Sequence, residues 1–138
     1  MLMMTSSKFE VLLLDDEPIV GKRLRPAILK LGCGVEVFES PAKAIKRINE
    51  KEFDVVVTDI RMDEIDGIEV LEYVTKKSSR TKVIMITGYA MMELARQAME
   101  KGAFDFIAKP FKPEDLRVVI VKAAEALGVK LTLSHEPQ

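Results

Sequence analysis

Short apolar runs alternate along the chain with longer segments in which apolar residues recur at helical spacing. The apolar runs have the length of strands and are predicted near residues 9–14, 34–38, 54–58, 82–86 and 104–107. Because they are apolar almost throughout, both faces of each strand should be buried, as in the parallel sheets of α/β proteins. The alternation therefore predicts an α/β fold, a doubly wound parallel sheet with right-handed crossovers.

The segments between the strands, together with the last segment, predict five helices. These helices begin near Pro18, Pro41, Gly67, Tyr89 and Pro113. Helical spacing directs Ile19 of the first helix and Met99 of the fourth toward the core. In the fifth helix Val118 and Val121 lie off the main apolar stripe, and a joined patch with the fourth helix would make a docking face.

Two methionines open the fourth helix, and they have two readings. Met91 and Met92 are interpreted first as core or gap-filling residues, since methionine adapts to irregular spaces. The alternative is an exposed surface that contacts a partner.

Length and charge indicate one soluble cytoplasmic domain. The chain has 138 residues and a net charge of −1, so no global field attracts nucleic acid or an anionic membrane. No apolar stretch approaches the roughly 20 residues that span a bilayer, and the first seven residues do not resemble a secretory signal. Cys33 is the single cysteine, which fits a reducing compartment and a small turn or core residue.

Polar side chains stand where the predicted strands end. They are Asp15, Asp16, Asp59, Thr87 and Lys109. In an open parallel sheet, groups beyond the carboxyl ends of the strands converge on one crevice. The sequence therefore predicts a single site that holds three carboxylates, a hydroxyl and an ammonium group.

This set of groups suits phosphoryl transfer. Carboxylates that share a crevice repel one another unless a cation neutralises them. Oxygen ligands and high negative charge suit Mg²⁺, with Mn²⁺ as a substitute. An aspartate can also act as a nucleophile and form an aspartyl phosphate. A lysine and a threonine hydroxyl would then balance charge and hydrogen-bond the phosphoryl oxygens.

Four motifs occur in order along the chain: Leu-Leu-Asp-Asp-Glu, Val-Val-Thr-Asp-Ile-Arg-Met, Ile-Thr-Gly-Tyr-Ala and Ala-Lys-Pro-Phe. In this combination the chain resembles the receiver domain of two-component response regulators, of the chemotaxis-receiver type. The resemblance implies a flavodoxin-like (βα)5 fold whose five-stranded sheet has the order 2-1-3-4-5. The domain is expected at residues 8–128, with flexible ends at 1–7 and 129–138.

The resemblance also implies a role for each site residue. Asp59 matches the phosphoacceptor. Asp15, Asp16, Asp59 and the backbone carbonyl of Arg61 match the metal ligands. Thr87 and Lys109 match the groups that contact the phosphoryl oxygens, and Pro110 follows at a position where the family often has a cis peptide.

Four further positions refine the resemblance. Phe106 matches an aromatic switch residue, and it keeps the ring of the commoner tyrosine without its hydroxyl. Arg61 and Tyr89 lie two residues beyond Asp59 and Thr87, where bulky side chains would shield the acyl phosphate and lengthen its lifetime. Asp63 replaces the usual proline, which adds negative charge and a more flexible loop.

The implied function is a phosphorylation-dependent switch, a regulatory domain and not an enzyme. The expected partners are a sensor histidine kinase or phosphotransfer protein and a downstream protein or output domain. The second partner would contact the face of helix 4, strand 5 and helix 5, and a homodimer is also possible. Two alternatives remain: a pseudo-receiver that is not phosphorylated, and a phosphohydrolase with an Asp nucleophile, which normally has a second Asp where this chain has Arg61.

Overall fold

A computed structural model describes residues 8–62 and 65–131, and at Tyr89 it describes the backbone alone. Strands and helices alternate through this part of the chain. The strands are β1 (Glu10–Leu14), β2 (Gly34–Phe38), β3 (Val55–Asp59), β4 (Lys82–Thr87) and β5 (Asp105–Ala108). The helices are α1 (Pro18–Leu29), α2 (Pro41–Glu50), α3 (Gly67–Lys77), α4 (Met92–Glu100) and α5 (Pro113–Ala126).

The strands form one parallel sheet in the order β2-β1-β3-β4-β5. The central strands β1, β3 and β4 are buried almost throughout, because helices cover both faces of the sheet. The flavodoxin-like doubly wound fold and its strand order are thus confirmed. β3 pairs with both β1 and β4, which brings the carboxyl ends of three polar-ended strands side by side.

Successive residues of each strand point to opposite faces of the sheet, and this alternation divides the core in two. Val11, Leu13 and Val57 face α1 and α5, whereas Leu12, Leu14 and Val56 face α2, α3 and α4. The near-continuous apolar runs seen in the sequence are therefore two interleaved sets of core residues.

Local chemistry sets several helix boundaries. The hydroxyl of Ser40 accepts a hydrogen bond from the Lys43 amide at the start of α2, and Asp66 and Glu69 form a reciprocal capping box at the start of α3. Helix α5 ends where Gly128 adopts a positive φ of 79°.

The end of α5 turns the chain back toward the core. The Gly128 amide donates to the Glu125 carbonyl and the Val129 amide to the Ala124 carbonyl, the pattern of a Schellman motif. Val129 and Leu131 then pack against the core on the α1 and α5 side. The other residues of the predicted flexible ends, 1–7 and 132–138, lie outside the described part of the chain.

Four sequence expectations about the helices are wrong. Helix α4 begins at Met92, after a short 3-10 turn at residues 89–91. Ile19 is 68% exposed, because it stands in the first turn of α1 beside a cavity, and Met99 is 37% exposed near the end of α4. Val121 is buried at 8% exposure, because α5 packs against α1 as well as the sheet and so buries a wider stripe.

Two further features are plain in the described residues. Cys33 is buried, as expected for a core position, and burial raises the pKa of its thiol to about 11. None of the described helices is long and apolar enough to cross a membrane.

Candidate functional site

The predicted site residues meet at the carboxyl edge of the sheet. Asp15 and Asp16 follow β1, Asp59 ends β3, Thr87 ends β4, and Lys109 follows β5. The strand ends are held together by backbone hydrogen bonds that cross from one strand to the next, from Asp15 to Phe38, from Ile60 to Ile86 and from Lys109 to Thr87. The convergence predicted from the sequence is what the fold produces.

Three carboxylates form the centre of the site. Oxygens of Asp15, Asp16 and Asp59 lie within 4.8 Å of one another. Asp15 is 2% exposed and Asp59 is 7% exposed, while Asp16 is half-buried. Burial raises the pKa of Asp15 from 3.8 to about 6, and the negative charge of Asp59 adds to the effect.

The carboxylate cluster could hold a divalent metal ion. One Asp15 oxygen accepts a hydrogen bond from the Glu17 amide at 2.9 Å, whereas the other, Oδ2, is buried without a hydrogen-bond partner. A buried carboxylate oxygen without a donor is costly unless a cation approaches it. Three oxygen donors of high charge are the ligand type of Mg²⁺ or Mn²⁺.

Lys109 pairs with the carboxylate of Asp59. Its Nζ lies 3.3 Å from Oδ2 of Asp59. Burial alone would lower the pKa of Lys109, but the neighbouring Asp59 and Asp15 outweigh burial and raise it. The Lys109 amide donates to the Thr87 carbonyl at 2.8 Å, and the Lys109–Pro110 peptide is cis, as the resemblance implied.

The hydroxyls of Thr87 and of Thr58, the residue before Asp59, are both bonded to backbone carbonyls. Thr87 is fully buried, and its hydroxyl donates to the Gly88 carbonyl at 3.0 Å. The Thr58 hydroxyl donates to the Asp59 carbonyl at 3.0 Å. Thr87 is therefore bonded to its own loop in this state, and a new acceptor would have to compete with Gly88 for its proton.

A cleft of about 550 Å³ opens over the carboxylates, and its walls include Arg61, which the sequence predicted, and Met91, which it did not. Arg61 lines it, and its amide donates to Asp59 Oδ1 at 3.3 Å. The Arg61 guanidinium donates to the sulfur of Met91 at 3.7 Å. Met91 is thus a wall of the cleft and not the core residue expected, and only its position four residues after Thr87 could have indicated this.

The structure describes the remaining predicted positions only in part. Phe106 is half-buried in β5 and packs against the core on the α2, α3 and α4 side. Tyr89 begins the 3-10 turn that follows β4. Its side chain is not among the described parts of the structure, so the role expected of it stays a prediction. The flexible loop expected around Asp63 also falls outside the described residues.

A family model described as the response regulator receiver domain matches residues 11–121. This match covers most of the chain and includes every predicted site residue. The protein therefore belongs to the response regulator receiver domain family of two-component systems.

Individual relatives agree with this assignment. Regulatory protein AtoC of Escherichia coli is 34% identical over 91% of this chain and 27% of its own length. The C4-dicarboxylate transport transcriptional regulatory protein DctD of Pseudomonas aeruginosa is 38% identical over 84% of this chain and 25% of its own length. This chain thus spans about a quarter of the length of the curated relatives it matches.

Solved structures show the same fold. The receiver domain of NtrX from Brucella abortus has a TM-score of 0.79 at 30% identity, with 83% of this chain and 98% of that one covered. A CheY-like receiver domain from Methanospirillum hungatei has a TM-score of 0.83 at 27% identity, with 88% and 98% covered.

Proposed function

We propose that this domain, residues 8–128, is a phosphorylation-dependent switch that accepts a phosphoryl group on Asp59. The donor is the phosphohistidine of a sensor histidine kinase or phosphotransfer protein. The observation that carries the proposal is the cluster of Asp15, Asp16 and Asp59 oxygens within 4.8 Å, with Lys109 Nζ 3.3 Å from the acceptor. That arrangement gives a nucleophile, a cation site and a fixed positive charge in one cleft.

In the reaction, an Asp59 carboxylate oxygen attacks phosphorus in line. The new oxygen–phosphorus bond forms as the bond to the imidazole nitrogen breaks, and its electron pair stays on that nitrogen. Lys109 balances the charge of the phosphoryl oxygens, and the Arg61 amide holds the carboxylate at 3.3 Å. Asp15, Asp16, Asp59 and the Arg61 carbonyl would hold Mg²⁺ or Mn²⁺, which supplies further charge neutralisation.

The phosphoryl group gives Thr87 a new acceptor. Its hydroxyl then exchanges the Gly88 carbonyl for a phosphoryl oxygen, and β4 and its following loop shift with it. Phe106, on the neighbouring strand, repacks in response. The result is a population shift on the face of α4, β5 and α5, where Met92, Met99 and Val118 are exposed.

That face is the contact surface that we assign to a downstream protein, an output domain or a second copy of the chain. We assign to Arg61 and Tyr89 the role of shielding the acyl phosphate and so lengthening its lifetime. Arg61 supports this role because it lines the cleft over Asp59. The domain assists its own phosphorylation and dephosphorylation and has no other substrate.

The test is intact-mass spectrometry after incubation with acetyl phosphate, with and without Mg²⁺. Wild type should gain one phosphoryl adduct that requires Mg²⁺. Asp59→Asn should gain none, because the isosteric amide is not a nucleophile. Asp54→Asn is the matched control, because Asp54 lies just before the amino end of β3, the strand that Asp59 ends. This variant should gain the adduct as wild type does.

If wild type gains no adduct from acetyl phosphate, the experiment is repeated with a phosphorylated histidine kinase as the donor. Transfer from the kinase to Asp59 would support the proposal and show donor specificity. Failure with both donors would contradict it and favour a pseudo-receiver, a binding module without phosphorylation.

A further inference from the structure

The loop between β5 and α5 carries Lys109, and its two ends are anchored to different elements. At the start, the Lys109 amide donates to the Thr87 carbonyl at 2.8 Å. At the end, the Lys112 amide donates to the Asp115 carboxylate at 2.9 Å, within the first turn of α5. Pro110, between these anchors, has no amide to donate.

A side chain from α1 reaches the middle of this loop. The Arg23 guanidinium donates to the Phe111 carbonyl at 3.1 Å, a hydrogen bond between residues 88 positions apart in sequence. Around this bond lies a cavity of about 260 Å³, bounded by Leu24 of α1 on one side and by Pro110 on the other. The loop and α1 therefore do not fill the space between them, and Arg23 spans it.

Two parts of the site are joined by this bond. Helix α1 begins at Pro18, directly after the loop that carries Asp15 and Asp16. The Lys109 ammonium reaches Asp59 from the β5–α5 loop. A guanidinium has several donors in a rigid plane, so it can fix a carbonyl more firmly than a flexible ammonium can.

We propose that Arg23 is a positioning residue that holds the β5–α5 loop so that Lys109 faces the phosphoacceptor. The inference rests on the proposed function, because it gives Lys109 its role toward the phosphoryl group. Arg23 itself does not line the phosphoacceptor cleft. It acts through the backbone of Phe111, and its loss should leave the carboxylate cluster in place.

The test compares Arg23→Ala with Lys22→Ala, which removes the same charge one residue earlier on the same exposed helix surface. The rate of phosphorylation by acetyl phosphate should fall about three- to tenfold in Arg23→Ala, the size expected for one hydrogen bond. Mg²⁺ affinity should stay unchanged, because the carboxylates are intact. Arg23→Lys, which keeps a donor and the charge, should restore part of the rate.

Amide hydrogen exchange gives a readout that needs no phosphoryl transfer. The Lys112 amide should exchange faster in Arg23→Ala and at the wild-type rate in Lys22→Ala. An equal fall in phosphorylation rate in both variants would show a charge effect and overturn the proposal, as would an unchanged rate in Arg23→Ala. If wild type takes no phosphoryl group from acetyl phosphate or from a phosphorylated histidine kinase, the proposed function fails. Unchanged amide exchange in Arg23→Ala refutes the positioning role of Arg23 independently of phosphoryl transfer.

Discussion

Charged side chains are paired differently at the two ends of the sheet. At the amino end and along the β2 edge, acidic and basic side chains alternate in space: Lys51 bonds Glu10 and Glu36, and Arg47 bonds Glu36 at 2.8 Å. Asp54, just before β3, pairs with Arg80 and also accepts the Glu10 amide. At the carboxyl end, three carboxylates share a small volume with Lys109 alone as a cation within ion-pair distance of Asp59 among the described residues.

The difference separates charges that stabilise the fold from charges whose burial costs stability. The amino-end acids find their counter-charges within the chain, and there the pKa of Glu36 is lowered, chiefly by its hydrogen bond from Arg47. At the carboxyl end the pKa of Asp15 is raised, chiefly by burial. Stability is therefore lost where the domain is expected to bind a cation and a phosphoryl group, a trade common to functional sites.

The largest contrast between the two ends should come from their glycines. A Cβ added at Gly67 would lie 2.2 Å from the Asp59 carbonyl oxygen and 2.8 Å from the Ile60 Cα, because α3 begins directly against the backbone at the end of β3. Backbone atoms cannot move aside cheaply. Gly67→Ala should lower the free energy of unfolding by more than about 3 kcal/mol in urea denaturation.

Gly34→Ala is the matched change at the amino end. There a Cβ would meet the carboxylate of Glu10 at 2.7 Å, the far end of a flexible side chain that can swing away. Its cost should stay under about 1 kcal/mol, since alanine also restrains the unfolded chain. Equal losses from the two substitutions would show that the carboxyl end is no more tightly built than the amino end.

The second contrast is between Asp15, which follows β1 at the carboxyl end, and Asp54, which precedes β3 at the amino end. Without Mg²⁺, Asp15→Asn should stabilise the domain by up to about 3 kcal/mol at pH 7.5, because it removes the burial of a charge. The folded state keeps the Asp15 proton up to about pH 6 and the unfolded chain only to about 3.8. The contribution of Asp15 to the free energy of unfolding therefore falls as pH rises between these values, and the advantage of the variant over wild type should vanish near pH 4.

Urea denaturation of both proteins in EDTA, from pH 4 to 8, measures this difference. Asp54→Asn is the control: it removes the partner of Arg80 and should destabilise the domain. Mg²⁺ should raise the melting temperature of wild type and not of Asp16→Ala. A stability gain in Asp15→Asn that does not change with pH would mean that the buried charge is not its cause.

Sequence reasoning predicts the fold and the convergence of the side chains that follow the strands. It misses contacts that depend on the course of a loop. The alternating apolar runs predict the sheet, and their polar ends predict Asp15, Asp59 and Thr87 at one edge. The Arg23 contact with Phe111 has no sequence signal, because it depends on how a loop 88 positions away is routed. Helical periodicity also does not give the number of elements that pack against a helix, which is why Val121 is buried although it lies off the main apolar stripe of α5.

The smallest effect should come from the paired charges of the amino end. Lys51 bonds Glu10 at 3.1 Å and lies over the Phe53 ring at 5.1 Å, yet its side chain is 30% exposed. Lys51→Met keeps most of the aliphatic stem and removes the charge, so the loss should be under about 1 kcal/mol. A double-mutant cycle with Glu10→Gln should give a coupling of about 0.5 kcal/mol that fades in 1 M salt. A coupling that exceeds the Asp15→Asn effect would contradict this order, since a partly exposed ion pair would then outweigh the buried carboxylate of the site.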